Sequence, residues 1–164
     1  ALDILALQLA GLGHRAAGID GVEAMLTVAR AKAHQAGLAL DFRLADAAEL
    51  PFALARFDLV IERNVLWTLP DPAAALADWA RVLRPGGRLI LILPTSGPRT
   101  TSRADYAPIR SALPLFNGRP AAEIAPWVEA SGLADLLVEP LTDEVLFGGL
   151  EESPRYALSA RKPR

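Results

Sequence analysis

Cysteine is absent from this chain of 164 residues, histidine occurs twice and methionine once. Without thiols there can be no disulfide, no thiolate metal site and no cysteine nucleophile, so a cytoplasmic setting is expected. No apolar run reaches the roughly 18 residues that a membrane span needs, and the first residues show no charged-then-apolar leader pattern, so no membrane partner is expected. A formal charge of -2 gives no positive field for a phosphate backbone, and no nucleic-acid partner is expected. Arg99, Arg103, Arg110 and Arg119 do gather in the later third, either as a solvated loop face or as a place for an anionic substrate. The two histidines are weak candidates for acid-base work. His14 lies in the Gly13-His14-Arg15 turn, and His34 falls on the polar face of a helix.

The chain is sized for one domain, 1–164, able to bury about two thirds of its unfolded surface. Its most informative stretch is 57–92. Phe57-Asp58-Leu59-Val60-Ile61 reads as a buried strand, Glu62 to Pro70 as a crossover loop and 72–83 as an amphipathic helix. Arg84-Pro85-Gly86-Gly87 reads as a stop and 88–93 as a second buried strand. This is one β-α-β unit of a parallel sheet. Asp71 suits the N-cap of that helix and Pro72 its first position.

The alternation extends both ways. Residues 5–12 read as a helix stopped by Gly13, 16–20 as a strand ending on Asp20, and 22–36 as a helix with Val22, Met25, Leu26 and Ala29 on one face and Gly37 as its stop. Residues 38–44 read as a strand and 45–52 as a loop. After 94–120, an irregular segment rich in turn formers and arginine, come a helix at 121–131 and strands at 134–139 and 156–160. No internal repeat is visible.

The beginning is awkward. Ala1-Leu2-Asp3 reads as a strand end, yet Ile4-Leu5-Ala6-Leu7 already reads as helix, whereas strand-to-helix connections in such sheets take about 2 to 6 residues. The expectation is that about half a dozen glycine-containing residues belong between Asp3 and Ile4, with a leading helical segment before Ala1. Similar junctions are expected near Thr100-Thr101 and Gly148-Gly149.

The run "FDLV", "LWTLPDP" and "W.RVLRPGGRL" resembles the class I S-adenosylmethionine-dependent methyltransferases of type 11, in their small-molecule branch. That resemblance implies a doubly wound α/β fold with a mostly parallel seven-stranded sheet, ordered 3-2-1-4-5-7-6 with the last strand antiparallel. It also implies S-adenosylmethionine as cofactor and a small-molecule methyl acceptor. The family's glycine-rich "D-x-G-x-G-x-G" loop would follow its first strand, and only Asp3 matches it here.

By the same resemblance, Asp20 with Gly21 would bind the ribose hydroxyls, Asp46 with the Ala47 backbone the adenine amino edge, and Met25 an adenine face. As plain structure, Asp20 is instead a helix cap, Asp46 a turn residue and Met25 core. Arg63 and Asn64, after the fourth strand, would lie beside the methionine end of the cofactor. Substrate candidates are Trp67, Tyr106 and Arg110, with Phe116 and Trp127 behind them; ordinary packing is the competing role for each. Arg84 to Gly87 is read as structural.

Methyl transfer from a sulfonium is an in-line displacement that positioning alone can accelerate, so neither a triad nor a metal is required, and no catalytic residue or metal ligand is assigned. A non-catalytic binding or scaffold domain on the same fold is the alternative, followed by an NAD-dependent oxidoreductase, which shares an acidic residue ending the second strand.

Overall fold

A computed structural model describes residues 2–95, 108–116, 118–142 and 155–164 of the chain. The chain divides into two units, Ala1–Pro51 and Phe52–Arg164.

In the first unit, six of the ten residues of helix α1 (Leu2–Gly11) are alanine or leucine, which lose little on entering a helix. It closes with Gly13 at φ 88°: His14 N–H donates to the Leu9 carbonyl at 3.1 Å and Gly13 N–H to that of Ala10 at 2.9 Å. Helix α2 (Glu23–Gln35) ends the same way around Gly37, with Leu38 N–H donating to Ala33 and Gly37 N–H to His34. Strands β1 (Ala17–Asp20) and β2 (Asp41–Leu44) flank α2 and pair in parallel, from Ala17 opposite Asp41 to Asp20 opposite Leu44. The core beneath them is Ala6, Leu26, Ala29, Ala33 and Phe42, with Leu7 and Leu40 packed against it.

Three expectations fail in this unit. The strand ending at Asp3 is not formed, because those residues begin α1 and the backbone continues as helix through Asp3 and Ile4 without an intervening loop. Three residues with no pairing partner cannot hold a strand against a helix-forming run. On α2, Leu26, Ala29 and Ala33 make the inward stripe, so Val22, which precedes the helix, and Met25 are left 54% and 43% exposed. The second strand is also shorter than 38–44, because Leu38 serves the helix stop.

In the second unit, β3 (Phe57–Arg63) and β4 (Leu83–Pro94) are parallel and joined through α3 (Pro72–Val82). Helix α4 (Ala121–Ala130) leads into β5 (Ala134–Leu141), and β6 (Arg155–Arg161) closes the chain. The sheet order is β3-β4-β6-β5, with β6 antiparallel to both neighbours. Helix α3 starts as its sequence requires: Asp71 Oδ1 accepts the Ala74 N–H at 2.9 Å and Pro72 takes the first helical position. Leu76, Trp79, Ala80 and Val82 of the helix are buried, as are Leu89, Leu91, Leu93 and Leu158 of the sheet.

Arg84 to Gly87 does not form a free turn but a bulge within the longer β4. The register passes from Phe57 opposite Leu83 to Leu59 opposite Arg88. Gly86 sits at φ 80°, and a Cβ on Gly87 would lie 2.8 Å from the Arg84 carbonyl oxygen and 3.2 Å from that of Asp58. The α3 carboxyl end has no glycine stop. Instead Lys162 Nζ donates to the carbonyls of Ala80 and Leu83, both at 2.8 Å.

The expected seven-stranded sheet is therefore corrected to six strands in two sheets among the described residues. In the expected numbering the pieces are 3-2 and 4-5-7-6, with the antiparallel strand where it was expected. Leu2 and Asp3, expected at the end of strand 1, are helical in α1. Arg99, Arg103, Tyr106, Thr100-Thr101 and Gly148-Gly149 lie outside the described residues. Among the described residues of 94–120, a 3-10 turn (Arg110–Ala112) leads into buried Leu113, Leu115 and Phe116, so that part is packed.

Candidate functional site

Ligands of open α/β sheets sit at the carboxyl ends of parallel strands. In the first unit, those ends are Asp20 and Leu44, and the loops leaving them are tied together: Ala45 N–H donates to the Asp20 carbonyl at 3.1 Å. Each loop then turns on its own carboxylate. Asp20 Oδ1 accepts the Val22 N–H at 2.9 Å, and Asp46 Oδ1 accepts the Ala48 N–H at 2.8 Å. Gly21, between them, would bring a Cβ 3.9 Å from the Ala45 carbonyl oxygen, an ordinary contact. Asp20, Gly21, Asp46 and Ala47 are thus gathered at one edge, with exposed Met25 on the first turns of α2. Asp20 does not cap α2 by a side-chain bond; it organises the turn before it.

In the second unit, the matching edge is the end of β3. Asn64 takes φ 61°, a conformation asparagine tolerates better than most residues, and its N–H donates to the Ile92 carbonyl at 3.2 Å. Arg155 Nη1 donates to Asn64 Oδ1 at 3.4 Å, and Arg63 is half-buried beside it. Between Ile61 and Arg63 stands a residue that sequence reasoning passed over. Glu62 is 7% exposed; its Oε2 accepts the N–H of Val65 at 2.7 Å and of Leu66 at 3.4 Å. Its Oε1 is buried and has no hydrogen-bond partner among the described residues. Burial pushes this carboxyl up to about 7, against the pull of the Val65 and Leu66 amides. The signal was an acid at the end of the apolar run Leu59-Val60-Ile61.

Beside it, Tyr156 of β6 is buried and donates its hydroxyl to the Arg119 carbonyl at 2.9 Å. Burial, aided by the Glu62 and Glu123 carboxylates, pushes the phenol up to about 12. Tyr156 lines a tight cleft of about 10 Å³ with Trp67, Leu93, Pro94, Leu115 and Ile124. Trp67 packs edge-on to buried Phe116 with ring centroids 5.9 Å apart, and the Arg110 guanidinium lies 5.4 Å over the same ring. Trp67 and Phe116 therefore belong to packing around the cleft, with Arg110 outside it on an exposed turn. Trp127 faces a separate open groove with Ala73, Ala77 and Pro126. Asp3 lies inside α1 instead of at a strand end, and both histidines are exposed. Among the described residues no helix is long and apolar enough to cross a membrane, and no three His, Asp or Glu side chains gather as a metal site.

Parallel strand pairs crossed by helices, an acid-bearing carboxyl edge and an antiparallel strand set between two others define an α/β, Rossmann-like fold of the nucleotide-cofactor type. The chain belongs to the methyltransferase domain family, whose model matches residues 3–91. Ubiquinone biosynthesis O-methyltransferase of Thiobacillus denitrificans is 39% identical over 85 residues, 51% of this chain and 37% of its own length. The protein of the same name from Cereibacter sphaeroides is 33% identical over 101 residues, 62% of this chain and 41% of its own. The chain thus spans about two fifths of the length of these curated relatives. Among solved structures, Haemonchus contortus phosphoethanolamine N-methyltransferase 2 in complex with S-adenosyl-L-methionine superposes with a TM-score of 0.74 at 20% identity, covering 97% of this chain and 46% of its own. The [4+2]-cyclase SpnF gives 0.72 at 20% identity, over 96% and 70%. At such identities the two superpositions establish the fold alone.

Proposed function

We propose that this chain is a single methyltransferase domain, 1–164, that transfers a methyl group from S-adenosylmethionine to a small-molecule acceptor in the cytoplasm. The observation carrying this reading is the family match over 3–91, which includes both acid-bearing loops. Asp20 accepts from the ribose hydroxyls through the carboxylate oxygen that its turn does not occupy, with Gly21 leaving room for the sugar. Asp46 and the Ala47 amide take the adenine edge, and Met25 covers an adenine face. Arg63 and Asn64 serve the methionine end. Each of the exposed loops is fixed by its own short hydrogen bond, which supports this reading. When bound, the cofactor supplies an electrophilic methyl group; the chain's part is to align it and exclude water.

A second reading is a non-catalytic binding or scaffold domain. It is favoured by the continuous helix at Asp3 and Ile4, where no glycine-containing loop stands, since one fold hosts several roles. Isothermal titration of the full chain with S-adenosylhomocysteine and with NAD separates the readings. Saturable binding of the first alone supports the methyltransferase. Binding of NAD alone supports an oxidoreductase, and binding of neither supports the scaffold.

A further inference from the structure

Glu62 is an anomaly that packing does not resolve. A carboxylate at the carboxyl edge of β3 has been taken out of water, yet only one of its oxygens is used, by the amides of Val65 and Leu66. The other is buried with no partner. A buried acceptor left in that state costs more than any surface alternative, and a buried negative charge without a counter-charge costs most of all. Among the described residues no ion pair reaches it. Arg155, the nearest guanidinium on β6, directs Nη1 to Asn64 instead. Opposite Glu62 on β4 is Leu91, and Leu66 of the following turn is fully buried, so neither element supplies a donor side chain. The position is also the one where a parallel sheet receives its ligand.

Resting on the methyltransferase reading, we infer that Glu62 supplies the counter-charge for the cationic sulfonium of the methyl donor, through the oxygen that no group among the described residues satisfies. Asn64, held at φ 61° and bonded from Arg155, shapes the wall of the same subsite. The demethylated product is a neutral thioether, so the attraction exists for the donor and vanishes once the methyl group has left. Product release is thereby favoured at the site that held the substrate.

The charged and titratable groups around Glu62 are Arg63 next along β3, Arg155 and Tyr156 on β6, and Glu123 on α4, which acts on Tyr156. The arginines keep their charge at neutral pH, and the phenol, pushed up to about 12, stays neutral there. Glu62 itself, pushed up to about 7, gains a proton on mild acidification and loses the negative charge.

The test is the ratio of affinities for S-adenosylmethionine and S-adenosylhomocysteine, measured by titration calorimetry on the full chain at pH 8 and pH 5.5, in wild type and Glu62→Gln. Wild type should favour the sulfonium about tenfold more at pH 8 than at pH 5.5, the size of one charge acting across several ångströms of partly buried protein. Glu62→Gln should hold the low ratio at both pH values. A wild-type ratio that does not change with pH, or a variant that matches wild type, overturns the inference while leaving cofactor binding established. If the variant is poorly folded, the wild-type pair of titrations decides alone. Wild type binding neither compound overturns the methyltransferase reading, and this inference with it.

Discussion

The Ala45 amide donates to the carbonyl of Asp20 at 3.1 Å, clasping the ends of β1 and β2 where the two acidic loops leave the sheet. The bond sets both carboxylates at one edge, each bent back on an amide two residues ahead.

One oxygen of Asp20 is committed to Val22, so on the proposed reading the ribose draws on the other. Asp20→Ala should weaken S-adenosylhomocysteine by about 1–3 kcal/mol, the range of a hydrogen bond to a charged group. Calorimetry at saturating protein stability reads this directly; unchanged affinity assigns Asp20 to the turn alone.

Asp46→Ala should likewise reduce adenosyl affinity. Its cost to folding is limited to one exposed turn bond, about 1 kcal/mol or less in urea unfolding. A large stability loss with intact binding would reverse the assignment.

Gly87 stands under two backbone carbonyls, so a methyl group there must displace main chain. Gly87→Ala should destabilise the second unit by about 1–3 kcal/mol, measured by thermal or denaturant unfolding. Gly37→Ala is strained by its φ of 66° although its surroundings are open, and it should cost about 1 kcal/mol.

Lys162 closes the carboxyl end of α3 in place of a glycine. Lys162→Met, which keeps the stem and removes the donor, should cost about 1–2 kcal/mol, from the loss of two charge-assisted bonds to Ala80 and Leu83.

Glu62 gives the protein a pH signature. Its folded pKa of about 7 exceeds the ordinary 4.5, so the folded state holds the proton more tightly than the unfolded chain. Stability from this group is fully present below about 4.5 and is lost as pH rises through about 7, a change of about 3 kcal/mol. Without ligand, the chain should unfold at lower denaturant concentration at pH 8 than at pH 5, and Glu62→Gln should remove most of that difference.

The sequence carried the second unit well for a physical reason: its strands are apolar runs bounded by punctuation that admits one reading, Asp71-Pro72 at a helix start and Pro85-Gly86-Gly87 before β4. Even there the glycines belong to a bulge, since pairing with Phe57 and Leu59 across the sheet is a long-range fact. The first unit was less legible at its beginning. Leu2 and Asp3 are compatible with strand or helix, and the run of alanine and leucine that follows decides for helix. Asp20 and Asp46 were visible as acids at strand ends. Glu62 was not, because the burial of a strand-end side chain depends on tertiary packing, and the partner of Lys162 lies some 80 positions away.

The most direct test of adenosyl binding at the acid-bearing edge is an amide chemical-shift titration of the isotopically labelled chain with S-adenosylhomocysteine. The amides of Gly21, Val22, Ala47 and Ala48 should shift together and saturate with one dissociation constant, with Asn64 and Val65 responding at the same concentrations. Binding that leaves the Gly21 and Ala47 amides unmoved would contradict the account.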